Sequence, residues 1–251
     1  MSKTVAIANQ KGGVGKTTTA IHLARALSIA GRETLIVDLD PQANATSGIG
    51  HQERADAARH FMAGKGSVRE YTEKSRFEHL SVVTGSIGAA AAEAQPSTEG
   101  PGRRRLAEAL ADVGQEMDWI VIDCPPSVSY LTHNALHAAD AIVIPIQAEY
   151  FAMEGLTRIL DTVRRVKSAG NPALEVEGIL LTMYDPGLAF SREVESEVRR
   201  HFPEYTYRSV IVRDVAIAEA SSFGQTVFEY APRSRGAHAY LSFAEEVLYG
   251  R

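Results

Sequence analysis

The 251-residue sequence has a single cysteine, Cys124, so one chain can build neither a disulfide framework nor a multi-cysteine metal site. It has no apolar run approaching the roughly 18 residues of a membrane-spanning helix, and no apolar signal-peptide core near its start. Both absences predict a cytoplasmic protein with no membrane partner. A basic excess is missing as well: 26 Lys and Arg against 31 Asp and Glu leave a net charge of −5. Dedicated nucleic-acid binders usually carry the opposite balance. Strong constitutive DNA binding is therefore not expected, and weak binding would take the form of a local arginine patch doubled in a dimer. With 45% hydrophobic and 23% charged residues, the composition is that of an ordinary globular chain, long enough for one large α/β domain over residues 1–251.

What is present is concentrated in one stretch, Lys11-Gly12-Gly13-Val14-Gly15-Lys16-Thr17-Thr18. An apolar strand-like run, Thr4-Val5-Ala6-Ile7-Ala8-Asn9, precedes it. Residues 17–30 follow with apolar side chains at helical spacing, up to a stop at Gly31. Strand, glycine loop and helix in that order make a phosphate-binding loop. The glycines let backbone N–H groups turn inward around an oxyanion, and the helix N-terminus adds partial positive charge. Lys16 is placed to reach the β- and γ-phosphates, and the Thr17 hydroxyl to bind Mg2+. The general pattern G-x-x-x-x-G-K-[ST] would put its first glycine at Gln10, so the strict form fails; a second lysine, Lys11, opens the loop instead.

Thr34-Leu35-Ile36-Val37-Asp38-Leu39-Asp40-Pro41 reads as a buried strand ending in two acids. Ligands of open parallel sheets sit at the carboxyl ends of the strands, which makes Asp38 and Asp40 candidates for Mg2+ and for positioning water. Trp119-Ile120-Val121-Ile122-Asp123 has the Walker B form, with Asp123 expected to hold Mg2+ through a water. Further strands are expected over 79–85, 141–147, 177–182 and 207–212, and helices over 154–167, 191–201 and 237–249. Residues 51–78 are charged and poorly periodic, consistent with short helices over one edge; 93–102 has the composition of an exposed loop, and Arg103-Arg104-Arg105 opens a solvated helix. The alternation predicts a single doubly wound, mostly parallel twisted α/β sheet with helices on both faces.

The string K-G-G-V-G-K-T resembles the deviant Walker A loop of the P-loop NTPase family that includes ParA/Soj partition ATPases, MinD and the nitrogenase iron protein. D-L-D-P-Q-A-N-A-T-S-G-I-G resembles the ParA/Soj form of the segment after the second strand, and Cys124-Pro125-Pro126-Ser127 resembles the family's switch II. The resemblance runs from Val5 to Val247 and is closest to the small ParA/Soj-type ATPases. It implies ATP and Mg2+ as cofactors, hydrolysis of ATP to ADP and phosphate, and an ATP-dependent homodimer enclosing two nucleotides. In that scheme Lys11 acts in trans on the partner's nucleotide, Asp40 handles the attacking water, and a ParB-like protein accelerates a slow basal reaction. The ATP-bound dimer would hold non-specific DNA at the nucleoid, in chromosome or plasmid partitioning. One cysteine excludes the iron protein's cluster. The expected terminal helix has two glutamates and no lysine, unlike a MinD-type lipid anchor, and no helix-turn-helix segment is expected ahead of the first strand.

Two places depart from the family pattern. The run I-P-R-N that contacts adenine in Soj-like proteins corresponds to Ile211-Val212-Arg213-Asp214, with Met183 joining Val212, Arg213 and Asp214 as expected nucleoside contacts. A carboxylate at 214 accepts but does not donate; it could take the adenine N6 hydrogens, yet it leaves base preference less fixed than phosphate binding. Positions that are basic in DNA-binding relatives are Gly187 and Ala216 here. DNA binding is expected to be weaker than in typical relatives, or carried by Arg192, Arg199, Arg200, Arg208 and Arg213 nearby. A positioning ATPase for a non-DNA cargo and a nucleotide-binding scaffold without turnover are the alternatives.

Overall fold

Alternate residues of each central strand are buried on opposite faces, the pattern of a sheet covered on both sides. Ala6, Leu35, Ile120 and Ile142 belong to one core and their neighbours Val5, Ile36, Val121 and Val143 to the other. The computed structural model describes residues 2–53, 60, 62–89, 101–149 and 152–250. Its strands are β1 (Lys3–Ile7), β2 (Thr34–Asp38), β3 (Thr72–Lys74), β4 (Leu80–Val83), β5 (Trp119–Asp123), β6 (Ala141–Gln147), β7 (Glu175–Tyr184) and β8 (Thr206–Val212). They form one sheet in the order β3-β4-β2-β5-β1-β6-β7-β8, parallel except for β3.

Helix α1 (Lys16–Ile29) and the terminal α9 (Arg235–Tyr249) cover one face through Leu23, Leu27, Tyr240 and Phe243. Helices α3 (Arg105–Leu110), α4 (Tyr130–Ala138), α5 (Ala152–Ala169) and α6 (Ala189–His201) cover the other through Leu106, Leu131, Leu156 and Val194. Short helices α2 (Asn44–Gly48) and α7 (Val215–Ser222) follow the carboxyl ends of β2 and β8, and α8 (Val227–Tyr230) packs against α7 and α9. The doubly wound, mostly parallel fold is as expected. Among the described residues no helix is long and apolar enough to cross a membrane.

The differences have local causes. The 51–78 segment ends in a 3-10 turn, Val68–Tyr71, and in β3, whose register comes from antiparallel pairing with β4 rather than from its own polar sequence. Residues 54–59 and 61 of that segment, and 93–100 of the expected loop, lie outside the described residues. Helix α2 follows the second strand and is held to it by Thr46, whose N–H and hydroxyl both donate to Asp38.

His22 fastens α1 to the carboxyl-terminal helices. Its Nε2 accepts from the Val227 N–H at 3.0 Å, which places the ring proton on Nδ1 for the Thr18 carbonyl at 2.7 Å, and the ring stacks on Tyr240 at 4.5 Å. Burial pushes its pKa down to about 4, below the usual 6.5. Between those values the unfolded chain binds the extra proton, so folding stability is complete above pH 6.5 and falls as the pH drops toward 4, by up to about 3 kcal/mol. Urea denaturation at pH 7 and pH 4.5 measures that loss. His22→Gln, which can still donate and accept, is expected to flatten this part of the pH dependence.

Candidate active site

The phosphate loop leaves β1 at the centre of the sheet. Asn9 pins its entrance: Nδ2 donates to Pro145 O at 2.7 Å and Oδ1 accepts from Lys11 N at 3.1 Å. Gly13 and Gly15 have φ of +74° and +84°, the left-handed region that side chains disfavour. Thr182, near the end of β7, closes the far side, its Oγ1 lying 2.8 Å from Val14 O and 3.1 Å from Ile146 O. Lys16 is buried, and its Nζ donates across the loop to Lys11 O at 3.0 Å. Burial lowers its pKa while Asp123, Cys124 and Asp40 oppose that shift.

Strand register brings the acids together. Asp38 at the end of β2 pairs in register with Asp123 at the end of β5, which in turn aligns with Ile7 before the loop. Asp38 is committed locally. Its Oδ2 accepts from Thr46 N (2.9 Å) and Thr46 Oγ1 (2.8 Å), and its Oδ1 from Asp40 N (3.1 Å). Thr46 Oγ1 accepts in turn from Gly85 N at 2.9 Å, and a Cβ at Gly85 would stand 2.7 Å from the Asp38 carboxyl carbon. Burial raises the Asp38 pKa to about 6 against these hydrogen bonds. Asp40 is buried at the cavity wall and caps the following turn through Gln42 N at 3.0 Å.

Asp123 is different. It is fully buried and, among the described residues, neither oxygen meets a donor in good hydrogen-bond geometry; the Thr17 hydroxyl faces it without completing one. Burial, then the charges of Asp38 and Asp40, push its pKa well up, while Thr17 and Lys16 pull it down. A buried carboxylate without donors is costly, and a cation bound beside it would offset that cost. Among the described residues no three acidic, His or Cys side chains converge to hold a metal alone. That suits Mg2+, which keeps several waters and binds through one or two protein oxygens plus substrate phosphates. The residues fit the ion. Cys124 beside Asp123 is buried, its thiol pushed up by burial, so it stays protonated as a small space-filling group.

Two cavities adjoin the loop. One, of about 400 Å3, is lined by Gly12, Lys16, Thr17, Asp40, Gln42 and Pro126; the other, of about 290 Å3, by Thr182, Ile211, Val212, Arg213, Ile217 and Tyr240. Gly15, Thr18 and Met183 line both, so a phosphate chamber continues into a mainly apolar slot. Met183 sits at that junction with φ of +50°, a strained value for a side-chain-bearing residue. Ile217, Ala218 and Ser221 of α7 complete the slot; their helical spacing behind a capping Asp214 was the signal in the sequence. Asp214 borders the slot but spends Oδ1 on Ala216 N (3.0 Å) and Oδ2 on Gly236 N (2.8 Å), capping α7 and tying it to α9.

Lys11 lies outside the phosphate chamber, its Nζ 3.0 Å from Glu149 in an exposed ion pair. The five candidate arginines do not form one patch. Arg199 stitches α6 to β8 through Glu195 and the Tyr207 and Arg208 carbonyls, and Arg200 pairs with Glu197 at 2.8 Å. Arg208 lies near the amino-terminal end of β8, whereas Arg213 follows its carboxyl end and Arg192 is in the first turn of α6.

A nucleotide-sized chamber behind a two-lysine glycine loop, with a Walker B acid at the end of the neighbouring strand, defines a P-loop NTPase of the deviant Walker A class. A family model described as an AAA domain matches residues 2–176. The chain is 44% identical over 250 residues to sporulation initiation inhibitor protein Soj of Bacillus subtilis (98% of each chain), and 45% identical over 244 residues to chromosome-partitioning ATPase Soj of Thermus thermophilus (97% of this chain, 94% of the relative). The Mycobacterium smegmatis structure described as cobyrinic acid a,c-diamide synthase with bound ATP analogue and magnesium matches with a TM-score of 0.85 at 32% identity (100% of this chain, 98% of that one). The chain belongs to the Soj/ParA family of chromosome-partitioning ATPases. It is an ATP hydrolase that uses ATP and magnesium.

Proposed function

We propose that the chain is the nucleotide-switched motor of a DNA-segregation system, in which two subunits face each other across two ATP molecules. The observation that carries this reading is the split between the two lysines. Lys16 is buried across its own loop, whereas Lys11 stands outside the chamber on an exposed ion pair, available to a second subunit. When bound, magnesium supplies Lewis-acid neutralisation of the phosphate oxygens; Thr17 would ligate it and Asp123 would hold it through water. The loop amides and Lys16 stabilise charge on the β- and γ-phosphates. Asp40, at the chamber wall, orients the attacking water. Asp38 acts one step back, setting Thr46 and the Asp40 backbone rather than touching substrate. The α7 slot takes the base by shape, with Asp214 holding its wall.

Lys11 from the opposite subunit adds positive charge where the phosphate leaves, the role of an arginine finger. Because that charge arrives only on dimerisation, the lone protein turns over slowly, and a ParB-like partner that tightens the dimer accelerates it. The dimer binds non-specific DNA at the nucleoid and releases it after hydrolysis.

Trans action has a direct test. Lys11→Ala and Asp40→Ala are each expected to be nearly inactive alone. Mixed, they should recover up to about a quarter of the wild-type rate, since half the dimers are mixed and one of their two sites has both groups. Failure of any mixture to recover activity would place Lys11 in its own subunit's site.

A further inference from the structure

The arginines expected to replace the missing basic positions are divided between opposite ends of the sheet, and the division leaves a different set standing free. Arg199 and Arg200, in the last turn of α6, are committed to Glu195, Glu197 and β8 carbonyls at the end of the sheet remote from the phosphate loop. At the loop end, Arg213 follows β8, and its backbone N–H bonds to Tyr184 O (2.9 Å) at the end of β7. Gly236 N donates to Asp214 Oδ2 at 2.8 Å, which sets Arg235 beside Arg213 although 22 residues separate the bonded pair in sequence. Arg233 lies in the tight turn closed by Ser234 N to Ala231 O (2.9 Å), one residue before the Ser234 cap of α9. Arg192 reaches the same rim from α6, donating to Pro186 O. All four are exposed, and among the described residues Arg213, Arg233 and Arg235 have no ion-pair or hydrogen-bond partner for their side chains. The acids of this rim, Asp185 and Asp214, accept from the backbone N–H groups of Gly187, Ala216 and Gly236.

We propose that the surface of this chain that contacts double-stranded DNA is the strip Arg192, Arg213, Arg235 and Arg233, along the carboxyl ends of β7 and β8 and the start of α9. This rests on the DNA reading given above and assigns it to residues. Guanidinium groups unpaired in an acidic protein are suited to a phosphate backbone, which they contact without reading base sequence. The strip borders the nucleotide slot through Arg213, so one surface adjoins both the bound nucleotide and the DNA. In a two-fold dimer each arginine is present twice, which turns a weak patch into a bivalent one.

The test uses the full chain locked with ATP by Asp40→Ala, with DNA affinity measured by fluorescence anisotropy across a salt series. Arg233→Ala and Arg235→Ala are the informative variants, because both side chains are solvent-facing and neither lines the nucleotide cavities. Each should leave ATP binding and dimer formation unchanged, lower the slope of log K against log salt by roughly 1.8 per dimer, and weaken binding more than about tenfold at 0.1 M salt. Arg200→Ala, at the remote end, should change neither. If the parent dimer binds DNA but the two strip variants keep its slope and Arg200→Ala loses it, the assignment is overturned. If the parent dimer ignores DNA at low salt, the DNA reading itself fails. Leu188 and Phe190 lie exposed beside Arg192, so phosphatidylserine vesicles are included; arginine-dependent vesicle binding without DNA binding would assign the strip to a membrane and overturn the proposal.

Discussion

Replacing Asp40 by alanine is expected to cut ATP turnover by about 10²–10⁴-fold, the usual contribution of a group that positions and polarises a nucleophilic water. Nucleotide affinity should change little. Asp40 lies on the wall of the phosphate chamber, not in the loop that grips the phosphates, and its own fixed contact is the Gln42 N–H at 3.0 Å. Losing one of three neighbouring carboxylates also relieves repulsion within the site, since Asp40 is among the charges that raise the pKa values of both Asp38 and Asp123. The variant should therefore fold, bind ATP and accumulate in the ATP state. Single-turnover hydrolysis beside equilibrium ATP binding separates the two effects; normal turnover would remove Asp40 from the chemistry.

Lys16→Ala should act on the other side of that balance. Its ammonium is the buried cation among Asp40, Asp123 and the phosphates, and truncating one partner of a buried charge pair costs about 2–5 kcal/mol. ATP affinity should fall roughly 30-fold or more, with turnover lost beyond about 10²–10³-fold because the same charge serves the transition state. The fold should survive, because the hydrogen bond given up is to Lys11 O and alanine is favourable in the first turn of α1. Calorimetric ATP titration beside a thermal melt measures both. An unfolded variant would mean that Lys16 is needed to neutralise the acids even without nucleotide.

The parts of this site that were legible in the sequence are those in which one short string fixes both backbone and chemistry. The run from Lys11 to Thr18 and the strands ending in Asp38 and Asp123 are of this kind: apolar alternation or continuous burial marks the strand, and glycines or acids mark its end. The rest depends on partners distant in sequence. Asp38 reads as a metal ligand until Thr46 and the Asp40 N–H are seen to occupy its oxygens. Asp214 reads as a base-recognition group until Gly236, brought beside it by the fold, takes its second oxygen. Arg199 reads as a free cation until the β8 carbonyls claim it. In each case the residue type was informative about hydrogen-bonding capacity, and the three-dimensional neighbour decided how that capacity was spent. The polar β3 and the small-residue helix α7 escaped for a related reason: pairing with β4 and the Asp214 cap define them more than their own periodicity does.

The central claim is that ATP turns this chain into a dimer in which Lys11 crosses between subunits. Size-exclusion chromatography with light scattering on Asp40→Ala, with ATP and with ADP, tests it most directly. The account predicts a dimer with ATP and a monomer with ADP. A monomer under both nucleotides, at concentrations where ATP is bound, would contradict it.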